Sequence, residues 1–331
     1  MRDNYSHRDR IQMIIRGEKP DRFAASAWRH FFHLETNLES LVRVMLDFQK
    51  QFDWDFMKIN PRACYHVEDW GTKADWSTDE CAKHRLYGFP VDKIEDWDKI
   101  EVLPPDTPVL TEHLKAISMI RKAAGSDLPL FMTVFNPLGV ARHLVDSREK
   151  LIEHLNQDPD KVNAALKNIA TTFEQYVPKI IDAGADGLFY ATVEWGTSDV
   201  LTFEQYERFS KPYDLRILKA TGADAINLLH VCKSNNFLKE LADYPAELVN
   251  WEASDPTNPN IEDAFSFLGD KTVIAGLDHQ GWLQHGTPSE IATEIGKIKE
   301  RMQGKRFIFG PGCTMPPEVP FANLQAVRDN L

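Results

Sequence analysis

Eight short runs of β-branched and aromatic residues recur along this chain, and most are followed by a longer stretch with apolar residues at helical spacing. The runs are 23–28, 55–60, 128–136, 186–194, 224–232, 246–252, 272–278 and 306–313. Near-continuous apolar runs of this length read as strands buried on both faces, which is the condition of a parallel sheet covered by helices. Intervening helices are expected at 37–52, after a potential Asn37 cap, at 159–182, and at 288–303, where Thr287, Pro288 and Glu290 make a helix start. Eight such units in 331 residues point to the α/β class and to a single-domain (β/α)8 barrel spanning 1–331. A doubly wound sheet is the alternative, but the chain has no GxGxxG turn. The second unit is oversized: 61–127 contains an aromatic, charged insertion, CYHVEDWGTKADW, expected to lie over the barrel mouth.

Composition narrows the function. The net charge is −12 with no basic cluster, which argues against nucleic-acid binding, because phosphate neutralisation needs concentrated Lys and Arg. No run approaches the roughly 18–20 apolar residues that span a bilayer. The polar opening MRDNYSHRDR has no secretory h-region. Four cysteines in a chain this long are not a disulfide scaffold, so a reducing, cytoplasmic setting is expected.

In a (β/α)8 barrel the chemistry sits at the C-terminal strand ends. Here those ends are unusually polar. His230 and Cys232 are two residues apart on one strand, so both side chains share a face. Cys313 follows the last strand in a rigid GPGC turn. One imidazole and two thiolates suit Zn²⁺, and three protein ligands leave a fourth position open for chemistry. Glu194 has three readings: fourth zinc ligand, partner of His230, or general base. Arg29 and His30, after the first strand, are candidates to clamp a substrate carboxylate. Asn136, Asp278 and His279 are further strand-end candidates, assigned to cofactor contact; Lys58, Asn60 and Glu252 are polar strand-end residues given no role, and a carboxylate such as Glu252 is often a helix cap there. Each residue also has a bland reading: a satisfied core His, a buried small Cys, a solvated carboxylate, a helix cap or a structural Arg. Cys64 and Cys81 are read as packing residues.

The segments FNPLGVARHLV (135–145), GADGLFYATVEWG (184–196), LLHVCKSNNFLKELADYPAELVNWE (228–252), AGLDHQGWLQHGTPSEI (275–291) and FIFGPGCTMPPEVPFANLQAV (307–327) resemble the uroporphyrinogen decarboxylase superfamily. RDRIQMIIRGEKPDR (8–22) is similar to its usual first helix. The resemblance implies a (β/α)8 barrel and one of two activities. One is cofactor-free decarboxylation of a tetrapyrrole. The other is methyl transfer from a methylated cobamide to an acceptor, often a zinc-bound thiol. The decarboxylase Arg-Gln-Ala-Gly-Arg motif is absent, with Trp28–Phe32 in that region, and Gly310-Pro311 stands where a Gly-His pair is usual. The methyltransferase pattern, His-X-Cys followed far downstream by Cys, is matched by His230, Cys232 and Cys313. The resemblance therefore implies bound Zn²⁺, a methylcobamide donor on a separate corrinoid protein, a small-molecule acceptor and a possible homodimer. The chain lacks an Asp-X-His-X-X-Gly corrinoid motif of its own.

Overall fold

The computed structural model describes residues 4–331. Its strands are β1 (Ala24–Ala25), β2 (Met57–Ile59), β3 (Lys73–Asp75), β4 (Arg85–Tyr87), β5 (Leu130–Phe135), β6 (Gly187–Ala191), β7 (Leu228–Val231), β8 (Leu248–Trp251), β9 (Thr272–Leu277) and β10 (Phe307–Pro311). Each of the eight expected runs contains one strand of an eight-stranded sheet, ordered β1-β10-β9-β8-β7-β6-β5-β2. All seven ladders in that sheet are parallel.

The sheet curls until its two ends meet, which is consistent with the expected (β/α)8 barrel. β1 and β2 share no ladder. Instead the Asp55 N–H donates to the Ala25 carbonyl at 2.9 Å, and the Ala25 N–H donates to Asp55 Oδ2 at 2.9 Å. The Ser26 hydroxyl adds a bond to the Phe56 carbonyl at 2.8 Å. The Asp55 carboxylate is one of these three ties, and it is itself surrounded by cations. Arg10 Nη1 and Arg22 Nη1 each lie 2.7 Å from it, and His7 Nδ1 lies 3.2 Å away.

Alternation along each strand sorts the side chains into two cores. One packs inside the curled sheet: Trp28, Phe56, Phe131, Phe189, Leu228, Leu248, Ile274 and Ile308 are among its members. The larger one lies between the sheet and the helices, with Met57, Ile59, Leu229, Val231, Val249 and Trp251 on the outward faces. The helices follow their sequence signals. Leu38–Phe52 is capped by Asn37, whose Oδ1 accepts from Ser40 N at 3.0 Å. Pro159–Asp182 starts with proline in its first turn, and Pro288–Arg301 begins with a reciprocal Thr287–Glu290 capping box.

The segment after β2 contains the helix Tyr65–Glu68, the β3–β4 hairpin and a 3₁₀ turn, Ile94–Lys99. It then enters the helix Pro108–Ala124, which packs beside Leu38–Phe52 in the outer layer. No helix among the described residues is long and apolar enough to cross a membrane.

Candidate functional site

A cleft of about 830 Å³ opens at the C-terminal ends of the strands. Its walls include His30 beyond β1, Glu194 beyond β6, Cys232 at the end of β7, Glu252 beyond β8 and Cys313 beyond β10. Lys83, His84 and Leu86 from the hairpin segment also line it, so the extra chain of the second unit borders the mouth.

His230 and Cys232 point inward from β7, as their spacing requires. Cys313 reaches them from the turn after β10. The Cys232 and Cys313 sulfurs are 3.4 Å apart, and Cys313 Sγ lies 3.7 Å from His230 Nε2. One ligand atom from each of the three residues falls within a 4.8 Å group. Tetrahedral zinc, with Zn–S bonds of about 2.3 Å and Zn–N bonds of about 2.0–2.1 Å, sets ligand atoms roughly 3.5–3.8 Å apart. The trio therefore fits such an ion in both donor chemistry and spacing.

The imidazole is fixed in the tautomer a metal needs. Asn250, the register partner of His230 on β8, donates through Nδ2 to the carbonyls of Ile274 at 2.8 Å and Pro311 at 3.0 Å. Its Oδ1 is therefore left as acceptor, and it lies 2.6 Å from His230 Nδ1. That ring nitrogen must carry the proton, which leaves the Nε2 lone pair aimed at the sulfurs. The two thiols lie within hydrogen-bond distance of each other. The hydrogen bond from Cys232 holds the Cys313 thiol well below its usual pKa, helped by His230. The same bond, together with burial, pushes Cys232 well above. Replacing Asn250 with Leu should lower zinc affinity about 10–100-fold, the usual cost of losing a partner that orients a metal-binding His. Competition against a chromophoric chelator measures it.

The acid beside this centre is Glu252. A Cβ added at Gly312 would meet Glu252 Oε1 at 2.4 Å, so only glycine next to Cys313 lets the carboxylate pack this close. Burial, followed by the neighbouring Cys313 and Asp278 charges, raises the Glu252 carboxyl to about 7. His279 is buried in the cleft wall with Nδ1 3.2 Å from Glu252 Oε2.

The other candidates are placed as follows. Glu194 does not orient His230, since Asn250 occupies that position. It lies between Arg142 and Arg148, 3.7 Å from each. Arg29 does not reach the cleft: it is buried, pairs with Glu80, and its guanidinium sits 4.9 Å over the Phe31 ring. Asn136 is fully buried as the cap of helix Pro137–Arg142. It accepts from Gly139 N at 3.0 Å and donates to Ser210 Oγ at 3.0 Å, so it is a packing residue and touches no cleft. Asp278 accepts from Gly281 N at 2.9 Å and shapes the turn after β9. His30 does line the cleft. Its Nδ1 lies 2.9 Å from Glu35 Oε2, a buried carboxylate that also takes the Ala63 N–H at 2.8 Å and sits 3.1 Å from His84 Nε2. Cys64 lines the cleft as well, but burial drives its thiol far above the usual range.

Asn250, Glu252 and Glu35 thus complete the site. The same-face rule that selected Cys232 also selects Asn250 and Glu252, two residues apart on the inward face of β8. Nothing local in the sequence marks Glu35.

The comparisons with known proteins agree on kinship and divide on activity. Methylcobamide:CoM methyltransferase MtbA of Methanosarcina mazei is 27% identical over 237 residues, covering 71% of this chain and 67% of that protein. Uroporphyrinogen decarboxylase of Geobacter sp. is 25% identical over 247 residues, covering 71% of this chain and 68% of that one. A solved structure, a methyltransferase from Methanosarcina mazei, superposes with a TM-score of 0.83 at 20% identity, covering 98% of this chain and 99% of the other. At that identity the likeness speaks for the fold alone. The uroporphyrinogen decarboxylase (URO-D) family model matches residues 8–330, and the chain belongs to that family.

Proposed function

We propose that this protein is a zinc-dependent methyltransferase that moves a methyl group from a methylated cobamide, carried by a separate corrinoid protein, to a thiol acceptor. The observation that carries the reading is the convergence of His230 Nε2, Cys232 Sγ and Cys313 Sγ at zinc-ligand spacing. The methylcobamide methyltransferases among its relatives support the donor. Zinc held by these residues would supply a Lewis-acidic position that lowers an acceptor thiol's pKa, so that the nucleophilic thiolate is present at neutral pH.

The chain's own groups do the rest. Asn250 keeps the His230 lone pair on the centre. The two cysteines and the imidazole close one side of the site and leave the other facing the cleft. Glu252, packed against Gly312, is the acid placed to take the proton an acceptor thiol gives up. The cleft, of about 830 Å³, opens at the strand-end face, from which the donor would approach. As the acceptor's sulfur–carbon bond forms, the methyl group leaves the cobamide with the cobalt–carbon electron pair remaining behind.

A decarboxylase acting on a tetrapyrrole or related acid is the competing reading, and relatives of that name exist. It needs cations free in the cleft to bind carboxylates. Arg29, the residue assigned to that task, is enclosed beside Glu80, although Lys83, Arg148 and Lys233 do line the cleft. An assay with free methylcobalamin and a panel of thiols separates the two. The expected result is thiol methylation that a zinc chelator abolishes. Decarboxylation of a porphyrinogen without thiol methylation would favour the other reading.

A further inference from the structure

One charged group inside the barrel has no role in the scheme above. Lys58 points inward from β2, among Phe56, Phe131 and Phe189, and is 7% exposed. Its ammonium donates to Asn60 Oδ1 at 2.6 Å and sits 4.6 Å over the Phe189 ring. That ring lies 5.3 Å from the His230 ring. No described carboxylate forms an ion pair with Lys58, and burial lowers its pKa to about 7. The two charges that pull the other way are Cys313 and Glu35.

Such a position is costly for a cation, since a lone buried charge is stabilised only by what faces it. A methionine would fill the same space without the penalty. Two negative groups face this cation: Cys313 of the sulfur cluster, beyond the Phe189 and His230 rings, and Glu35, which His30 and His84 already engage.

We infer that Lys58 is the counter-charge of the metal centre, present to balance the negative charge that appears when an anionic sulfur acceptor joins it. The inference rests on the zinc reading and sharpens it. Two cysteine thiolates neutralise Zn²⁺, and the His230 imidazole adds no charge. An acceptor entering as thiolate makes the cluster singly negative, and Lys58 restores neutrality. With a neutral acceptor the ammonium would face only Glu35, which His30 and His84 already engage, so the acceptor class indicated is a thiol bound as its anion. Lys58 acts through the centre as a positioning residue in the electrostatic sense, with no contact to the acceptor required.

The test uses the full-length protein loaded with Co²⁺, whose sulfur charge-transfer bands report ligand binding. Wild type, Lys58→Met and Lys58→Gln are titrated with 2-mercaptoethanol across pH and, separately, with imidazole as a neutral ligand. Lys58→Met should fold at least as well as wild type and keep full metal content. Its half-point for thiol binding should move about one pH unit upward, which is about a tenfold weaker apparent affinity at pH 7. Imidazole binding should stay within about twofold of wild type, because that ligand adds no charge. Lys58→Gln should behave like Lys58→Met and serves in its place if methionine packs badly. An unchanged thiol titration, or equal losses for thiol and imidazole, would overturn the counter-charge role. Failure of even the wild type to show sulfur-ligated cobalt would instead remove the zinc reading beneath it.

Discussion

Cys313→Ala should purify folded and free of zinc, whereas the wild type carries about one zinc per chain. The loss follows from the geometry. Cys313 is the ligand that joins the other two, 3.4 Å from the Cys232 sulfur and 3.7 Å from His230 Nε2. Without it, one imidazole and one thiol remain, too few for a tetrahedral site. Affinity should fall by more than about 100-fold, since even losing an orienting neighbour costs 10–100-fold. Methyl transfer should fall with it. The fold should survive because Cys313 lies in a turn at the cleft, outside both apolar cores. Elemental analysis and circular dichroism on the same sample check both halves. Normal zinc content in the variant would remove Cys313 from the site.

Asp55→Ala should be the most destabilising single change at the opposite end of the barrel. This carboxylate is fully buried and joins β1 to β2, the two strands that share no ladder. Its loss deprives Ala25 N of its acceptor and takes a carboxylate partner from Arg10 and Arg22 inside the protein. Breaking a buried ion pair from one side costs about 3–5 kcal/mol. That is a large share of the 5–15 kcal/mol typical of native stability, and should lower the melting temperature by on the order of 10 °C.

The same network sets a pH window. Burial works against the Asp55 carboxylate, but His7, Arg22 and Arg10 outweigh it and hold its pKa below 3.8. Its stabilisation is therefore present above about pH 4 and lost as pH falls further. Burial also works against the His7 cation, yet Asp53 and Asp55 raise its pKa from 6.5 to about 9. Its contribution is complete below pH 6.5 and lost as pH climbs through 9. Melting temperature against pH should therefore decline on both sides, and the alkaline decline should shrink in His7→Ala. An identical alkaline slope in that variant would remove His7 from the network.

Much of this was legible in the residues. The eight strands could be read because strands buried on both faces leave continuous apolar runs, and the metal trio because alternation on β7 puts His230 and Cys232 on one side. Where the reading went astray, backbone direction was the reason. Arg29 lies four residues past the end of β1, where alternation no longer fixes direction, and its guanidinium is buried against Glu80 and Phe31. Glu194 lies beyond the end of β6 in a 3₁₀ turn, Val193–Trp195, where alternation no longer holds. Glu252 continues the inward row of β8, which places the acid beside the centre on the other flank of β7. Asn136 sits at a strand end because it caps the next helix, which a strand-end Asn does whether or not a cofactor is near. The seam carries no local signature, and Lys58 is marked in the sequence only as one polar strand-end residue among several. Both depend on which strands become neighbours once the sheet has curled.

The central claim is that His230, Cys232 and Cys313 hold one zinc ion between them. X-ray absorption at the zinc edge on protein purified without chelators tests it directly. The expected shell has two sulfurs at about 2.3 Å and nitrogen or oxygen at about 2.0–2.1 Å, at one zinc per chain. Metal-free protein, or zinc with a first shell containing no sulfur, would contradict it.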